Sequence, residues 1–174
     1  MKAQIRIIAL ALLLTGISIS TFAQGGPGVS TTASGSASIV TPISITKTVD
    51  MNFGNVAVNG NAGTVVLTPG GARSRTGGVT LPATAGNVTA ASFTVGGVAG
   101  YTYTILLPSS DLTITNGSNS MIVNSFTSSP TPIGTLGSDG TQILTVGATL
   151  NVGASQPAGN YTSGTPFSVW VNYN

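Results

Sequence analysis

The chain has 174 residues, of which five are Lys or Arg and three are Asp, with no His, no Cys and no Glu, so charged residues make up only 5% of it. That inventory excludes thiol nucleophiles, imidazole bases, Ser–His–Asp triads and the usual His or Cys ligand sets for zinc, copper and haem. No catalytic residue, metal site or cofactor is expected, and the chain reads as a non-enzyme.

Lys2 and Arg6 precede a charge-free apolar run from residue 7 to residue 19, followed by the small residues Thr21 and Ala23. This is the pattern of a secretory signal peptide over 1–23, with cleavage before Gln24. Beyond it, Lys47, Arg73 and Arg75 face Asp50, Asp111 and Asp139, so the charges cancel. The pI near 9.3 and the mean hydropathy of +0.40 therefore owe much to the leader. Nucleic-acid partners lose their electrostatic support. After signal removal, no stretch is long and apolar enough for a transmembrane helix. Export across the inner membrane is expected, to the periplasm, the cell surface or the medium.

Residues 24–38 form an N-terminal extension. Its Gly/Pro leader is followed by a strict alternation. Val29, Thr31, Ala33, Gly35, Ala37 and Ile39 hold the odd positions, and Ser or Thr fills every even one. Such a period places small groups on one side of an extended strand and hydroxyls on the other. Two readings stay open. The segment is either the first strand or a loose leader of its own domain, or a donor strand completing a sheet of another subunit.

Residues 39–174 read as one domain, rich in Thr, Ser and Gly, with short period-2 runs between turn-forming residues. Strands are predicted at 39–48, 56–58, 64–68, 79–81, 92–95, 101–107, 112–115, 120–126, 141–152 and 167–173. This density of short strands predicts an all-β fold, an antiparallel immunoglobulin-like β-sandwich, either complete in itself or with one strand supplied by a neighbouring subunit. The last run sets Phe167, Val169, Val171 and Tyr173 against Ser168, Trp170 and Asn172. Asn116-Gly117 and Asp139-Gly140 are hairpin turns by chemistry. Gly96–Gly100 has no helix after it to hold a phosphate and reads as a turn. Arg73 and Arg75 lie in a Gly-rich stretch, either as solvated loop cations or, on one face, as ligands for an anionic glycan or lipid head group. So few charges leave strand edges poorly defended against pairing, a hazard for a monomer and an asset for a polymer.

The stretch Val146-Gly147-Ala148-Thr149-Leu150-Asn151-Val152, the loop Gln156-Pro157-Ala158-Gly159-Asn160-Tyr161-Thr162 and the final alternating strand resemble the closing segment of spore-coat-U-type domains and archaic chaperone–usher pilins. Pro42-Ile43-Ser44-Ile45 and Met51-Asn52-Phe53-Gly54 are similar to their first strand and its turn. With Gly70–Gly78 and Asp111–Gly117, the pattern also resembles a family of uncharacterised secreted β-domains of Gram-negative bacteria. The pilin resemblance implies a sandwich lacking its final strand, whose groove beside the C-terminal strand is filled by the next subunit's N-terminal extension. It further implies a periplasmic chaperone that holds the groove open and an outer-membrane usher. Gly35 would lie midway along the donor strand, and Tyr173 at the aromatic penultimate position. Pilins of these systems commonly carry a disulfide, and this chain has no Cys.

Two functions follow as expectations. The first is a secreted, pilin-like structural subunit of a surface fibre, a fimbrium, polymerising by donor-strand exchange. Residues 29–39 would be the donor, and Phe167, Val169, Val171 and Tyr173 would line the acceptor groove. The second is a monomeric secreted or surface-attached module recognising a glycan or matrix component for cell adhesion.

Overall fold

A computed structural model describes residues 28–174. The predicted signal peptide and residues 24–27 lie outside the described residues. The chain divides into two units, Met1–Ser38 and Ile39–Asn174. In the first, described residues 28–38 form no strand and are exposed throughout.

The second unit contains twelve strands and, among the described residues, no helix. In chain order they are β1 (Ser44–Val49), β2 (Asn52–Phe53), β3 (Ala57–Leu67), β4 (Arg73–Thr80), β5 (Val88–Thr89), β6 (Ala91–Gly96), β7 (Thr102–Leu106), β8 (Leu112–Asn116), β9 (Asn119–Ser129), β10 (Ile133–Thr135), β11 (Thr141–Val152) and β12 (Trp170–Tyr173). All pairings are antiparallel. The result is an antiparallel β-sandwich in which β10-β7-β12 forms the smaller sheet.

The main sheet is organised on β11. Its first half, Thr141 to Val146, pairs with β6, and its second, Ala148 to Val152, pairs with β3. Residues Thr145 to Asn151 also pair with β9, which therefore runs along the opposite edge. Gly147 sits at the changeover between β6 and β3, where the register with β9 also shifts. A β-carbon at that point would overlap the Leu67 carbonyl oxygen and the Thr68–Pro69 peptide. Only glycine lets the end of β3 come so close.

The small sheet covers only part of this surface. Tyr103 and Ile105 of β7, with Val169, pack on Phe93, Val95, Leu144 and Val146 in one buried cluster. The Tyr103 hydroxyl donates to Gln142 at 2.7 Å, and burial pushes its pKa up. A second cluster, Val65, Val79, Val123, Ala148, Leu150 and Val152, lies on the other half of the main sheet. Instead of strands of the small sheet, it is faced by half-buried side chains, including Met51, Phe53, Val56 and Val58.

The predicted strand at 141–152 is β11, and its two faces alternate as expected, Leu144, Val146, Leu150 and Val152 being buried. Four predicted strands differ in extent from the sequence reading. The run at 39–48 is paired only from Ser44, because β6 ends opposite it at Gly96. The run at 167–173 is paired only from Trp170, whose partner Leu106 is followed by Leu107 and then Pro108, which has no N–H to donate. The runs at 56–58 and 64–68 form one strand, bridged by an irregular stretch between Val58 and Gly63.

Arg73 and Arg75 lie within a strand, β4, and the loop reading of this stretch is corrected. They pair with Leu67 and Val65, both fully buried, so both side chains leave the sheet on its core side, Arg73 half buried and Arg75 still exposed at the edge. Arg73 Nη1 donates to the carbonyls of Phe53 at 2.5 Å and Asn55 at 3.0 Å, and Arg75 Nη1 to that of Val79 at 2.9 Å. These cations bind the protein's own backbone. Inward-pointing charges on an outer strand are also an edge defence, so β4 is better protected than composition suggests.

Candidate functional site

The two core clusters are bridged at their margins by Met51 and Phe126, which pack against both. Between them runs an open groove of about 1000 Å³. Its floor is core: Ala91 and Phe93 from the first cluster, Val123, Leu150 and Val152 from the second. One wall is the chain from Lys47 to Val58, and the other is β8 with the loop from Gln156 to Ser163, Pro166 and Phe167. A sandwich domain ordinarily has one contiguous core. Here the wall residues Met51, Phe53, Leu112, Ile114, Met121 and Phe167 are only half buried.

Local chemistry fixes both walls. In the first, Asn52 Oδ1 accepts the Gly54 N–H at 2.8 Å, turning the chain after β2. Gly54 has a φ of 67°, and a β-carbon there would overlap the Ala85 carbonyl oxygen. Arg73 ties this turn to β4 through the two carbonyls already named. Lys47 and Asp50 form an exposed ion pair at 2.6 Å, worth under about 1 kcal/mol. In the second wall, the Gln156 side-chain amide donates to the Ser120 carbonyl at 3.2 Å and to the Tyr161 hydroxyl at 2.9 Å, which in turn donates to the Pro157 carbonyl at 2.8 Å. The Gln156–Tyr161 motif is thus a self-braced loop.

Beyond this loop the backbone is unpaired. Thr115 and Thr162 exchange two backbone hydrogen bonds, at 2.8 and 3.0 Å. From residue 163 to residue 169 no backbone hydrogen bond to a described residue occurs. Seven carbonyls and, Pro166 having no N–H, six amides are therefore left to water or to a partner.

The four residues expected at an acceptor groove lie on one side of the C-terminal segment but have different roles. Phe167 lines the groove, with its ring 5.0 Å from Phe126 and 6.5 Å from Phe93. Val169 is buried in the first cluster, and Val171 and Tyr173 pack against it. The Tyr173 hydroxyl accepts the Val98 N–H at 2.8 Å and donates to the Thr41 carbonyl at 3.0 Å. Of the expected donor residues Val29, Thr31, Ala33, Gly35, Ala37 and Ile39, none lies in a strand and all are exposed, Val29 at 99% and Ile39 at 102%. Sequence reasoning missed Leu112, Ile114 and Met121, although the alternation of 112–115 was visible.

The acids lie in separate settings, and among the described residues no cluster of three or more His, Cys, Asp or Glu could hold a metal. Asp139 accepts from the Thr141 hydroxyl at 2.7 Å and the Thr141 N–H at 3.0 Å, which holds its carboxyl below the ordinary aspartate value. A depressed carboxylate stabilises the fold above its unfolded pKa of about 3.9, and that contribution is lost as pH falls through the lower folded value. Asp139→Ala is therefore expected to lower the thermal midpoint at pH 7, and the gap to the parent should narrow as pH falls below the unfolded aspartate value of about 3.9. A gap independent of pH in thermal scans would contradict this.

Fold and groove together define a class of protein, an antiparallel β-sandwich domain whose core is open along one side. The chain belongs to the family described as Domain of unknown function (DUF4402), which matches residues 43–173. No curated protein and no solved structure matches the chain significantly.

Proposed function

We propose that this protein is a secreted, pilin-like structural subunit of a surface fibre that polymerises by donor-strand exchange. Residues 29–39 of one copy enter the groove of the next. The observation that carries this reading is the divided core, whose buried floor lies beneath apolar wall residues, Met51, Phe53, Leu112, Ile114 and Phe167, that stay half exposed.

The occupant has to be strand-like, apolar on one face and nearly uncharged, because the groove floor offers only Ala, Val, Leu and Phe side chains. Residues 29–39 meet those terms, with small side chains at the odd positions and hydroxyls at the even ones. Residues 163–169 provide an unpaired main chain against which such a strand can form a ladder. Many buried contacts made together give slow dissociation, which suits a fibre. Before assembly the groove would be held by a periplasmic chaperone and presented at an outer-membrane usher, placing the polymer at the cell surface.

The test compares the full secreted chain with one lacking residues 24–38, both expressed with export to the periplasm. On an unheated SDS gel the full chain should run as a ladder and the shortened chain as a single band. Two equally stable monomers would overturn the reading.

A further inference from the structure

A second cleft, of about 590 Å³, opens between the β7–β8 connection and the segment leading into β12. Its volume lies within the range of small-ligand sites. Trp170 stands at its edge with 56% of its surface exposed. On this outer face of the small sheet the neighbours across and along the strands are Thr104 and Asn172, with the apolar Leu106 paired directly to Trp170. Ile133, paired with Thr104, also stands exposed on this face, and the indole leaves a large apolar ring in water where Thr or Asn would cost nothing.

The polar lining is equally selective. Asp111 lies in the cleft, and its carboxylate has no ion-pair partner among the described residues. Ser109, Ser110, Thr113 and Ser168 add hydroxyls, and the lining includes no Lys or Arg. A carboxylate only accepts hydrogen bonds, while each hydroxyl can donate or accept. Such a set favours a ligand rich in hydroxyl donors and disfavours an anion. A flat aromatic face beside it suits the apolar C–H face of a pyranose ring. One carboxylate without a second acid supports binding and gives no means of glycoside hydrolysis.

We propose that this cleft binds a neutral saccharide, with Trp170 against the C–H face of a sugar ring and Asp111 accepting its hydroxyls. The cleft adjoins the polymerisation groove, sharing Leu112, Pro166 and Phe167 with it, but Trp170 and Asp111 line the cleft alone and the proposal does not depend on that reading. On a fibre it would be repeated at every subunit, so weak single-site affinity would be multiplied by valency.

Trp170 is the only tryptophan in the chain, so its fluorescence reports on this cleft alone. The full secreted chain and the chain lacking residues 24–38 would each be titrated with neutral gluco-, galacto-, manno- and chito-oligosaccharides up to about 10 mM, a range that reveals millimolar sites. A saturable change with at least one of them is expected in both chains, and Asp111→Asn should weaken it at least about tenfold. Both residues are exposed, so the variant should keep its thermal midpoint. No saturable response to the panel would overturn the proposal, as would an unchanged affinity in Asp111→Asn. Choline and free lysine form a second arm, since a cation could also sit between a carboxylate and an indole. A response to them without one to the saccharides would likewise overturn it.

Discussion

Gly147→Ala should destabilise the domain by about 2–3 kcal/mol, the cost of forcing a methyl group into a closed site. For a domain of this size that is roughly 8–12 °C in thermal midpoint. The methyl would meet main-chain atoms of Leu67, Thr68 and Pro69, which cannot swing aside as a side chain can. Relief requires β3 and β11 to part where the sheet changes partners, and the second core cluster spans both strands through Val65, Ala148 and Leu150. Thr145→Ala, two residues away at a half-buried position, should change the midpoint by no more than a few degrees. Thermal melts followed by circular dichroism compare the two directly. Equal midpoints would mean that the crossing is looser than its geometry indicates.

The second large effect is on assembly. Ile114→Asp puts a carboxylate on the groove wall, where the side chain is only half covered in the isolated domain. The domain should still fold, because water reaches the site. A donor strand seated in the groove would bury the charge without a partner, at a cost of roughly 3 kcal/mol or more. Polymerisation should therefore weaken by more than about 100-fold. Ser74→Asp adds the same charge at an exposed position on β4 and should assemble normally. Size-exclusion chromatography of the two variants under one set of conditions separates loss of assembly from loss of fold.

Much of the sandwich was legible because its long strands bury one face and wet the other. In β11 and in residues 167–173 each large apolar residue alternates with Ser, Thr, Asn or Gln almost without exception, and the period alone places them. The predicted strand at 79–81 caught only the end of β4, whose first six residues were hidden because Gly77, Gly78 and two arginines read as a loop. Nothing in the local sequence shows that carbonyls of Phe53, Asn55 and Val79 wait for those guanidiniums. The short strand β10 was hidden by Pro130 and Pro132, which ordinarily argue against pairing. The groove itself was illegible for a different reason. Leu112, Ile114 and Phe53 would show the same alternation whether another strand of this chain covered them or none did. Only the strand order in three dimensions shows that, among the described residues, no further strand does.

Neutrality takes on a more local meaning. Where β4 is exposed as an edge, it carries two inward arginines. Residues 163–169 and the groove floor contain no charge, and the groove's ionised residues are the Lys47–Asp50 pair on one wall. Charge is thus retained where pairing would be harmful and missing where the proposed strand would enter.

The central claim is that the groove accepts residues 29–39 of another copy. The most direct measurement adds a synthetic peptide of residues 28–40 to the chain lacking residues 24–38 and follows binding, thermal midpoint and amide hydrogen exchange together. Stoichiometric binding should raise the midpoint by several degrees and protect amides among residues 163–165 and 167–169. The same peptide with Ala33→Asp and Ala37→Asp should do neither. No protection of those amides, or equal binding of the two peptides, would contradict the account.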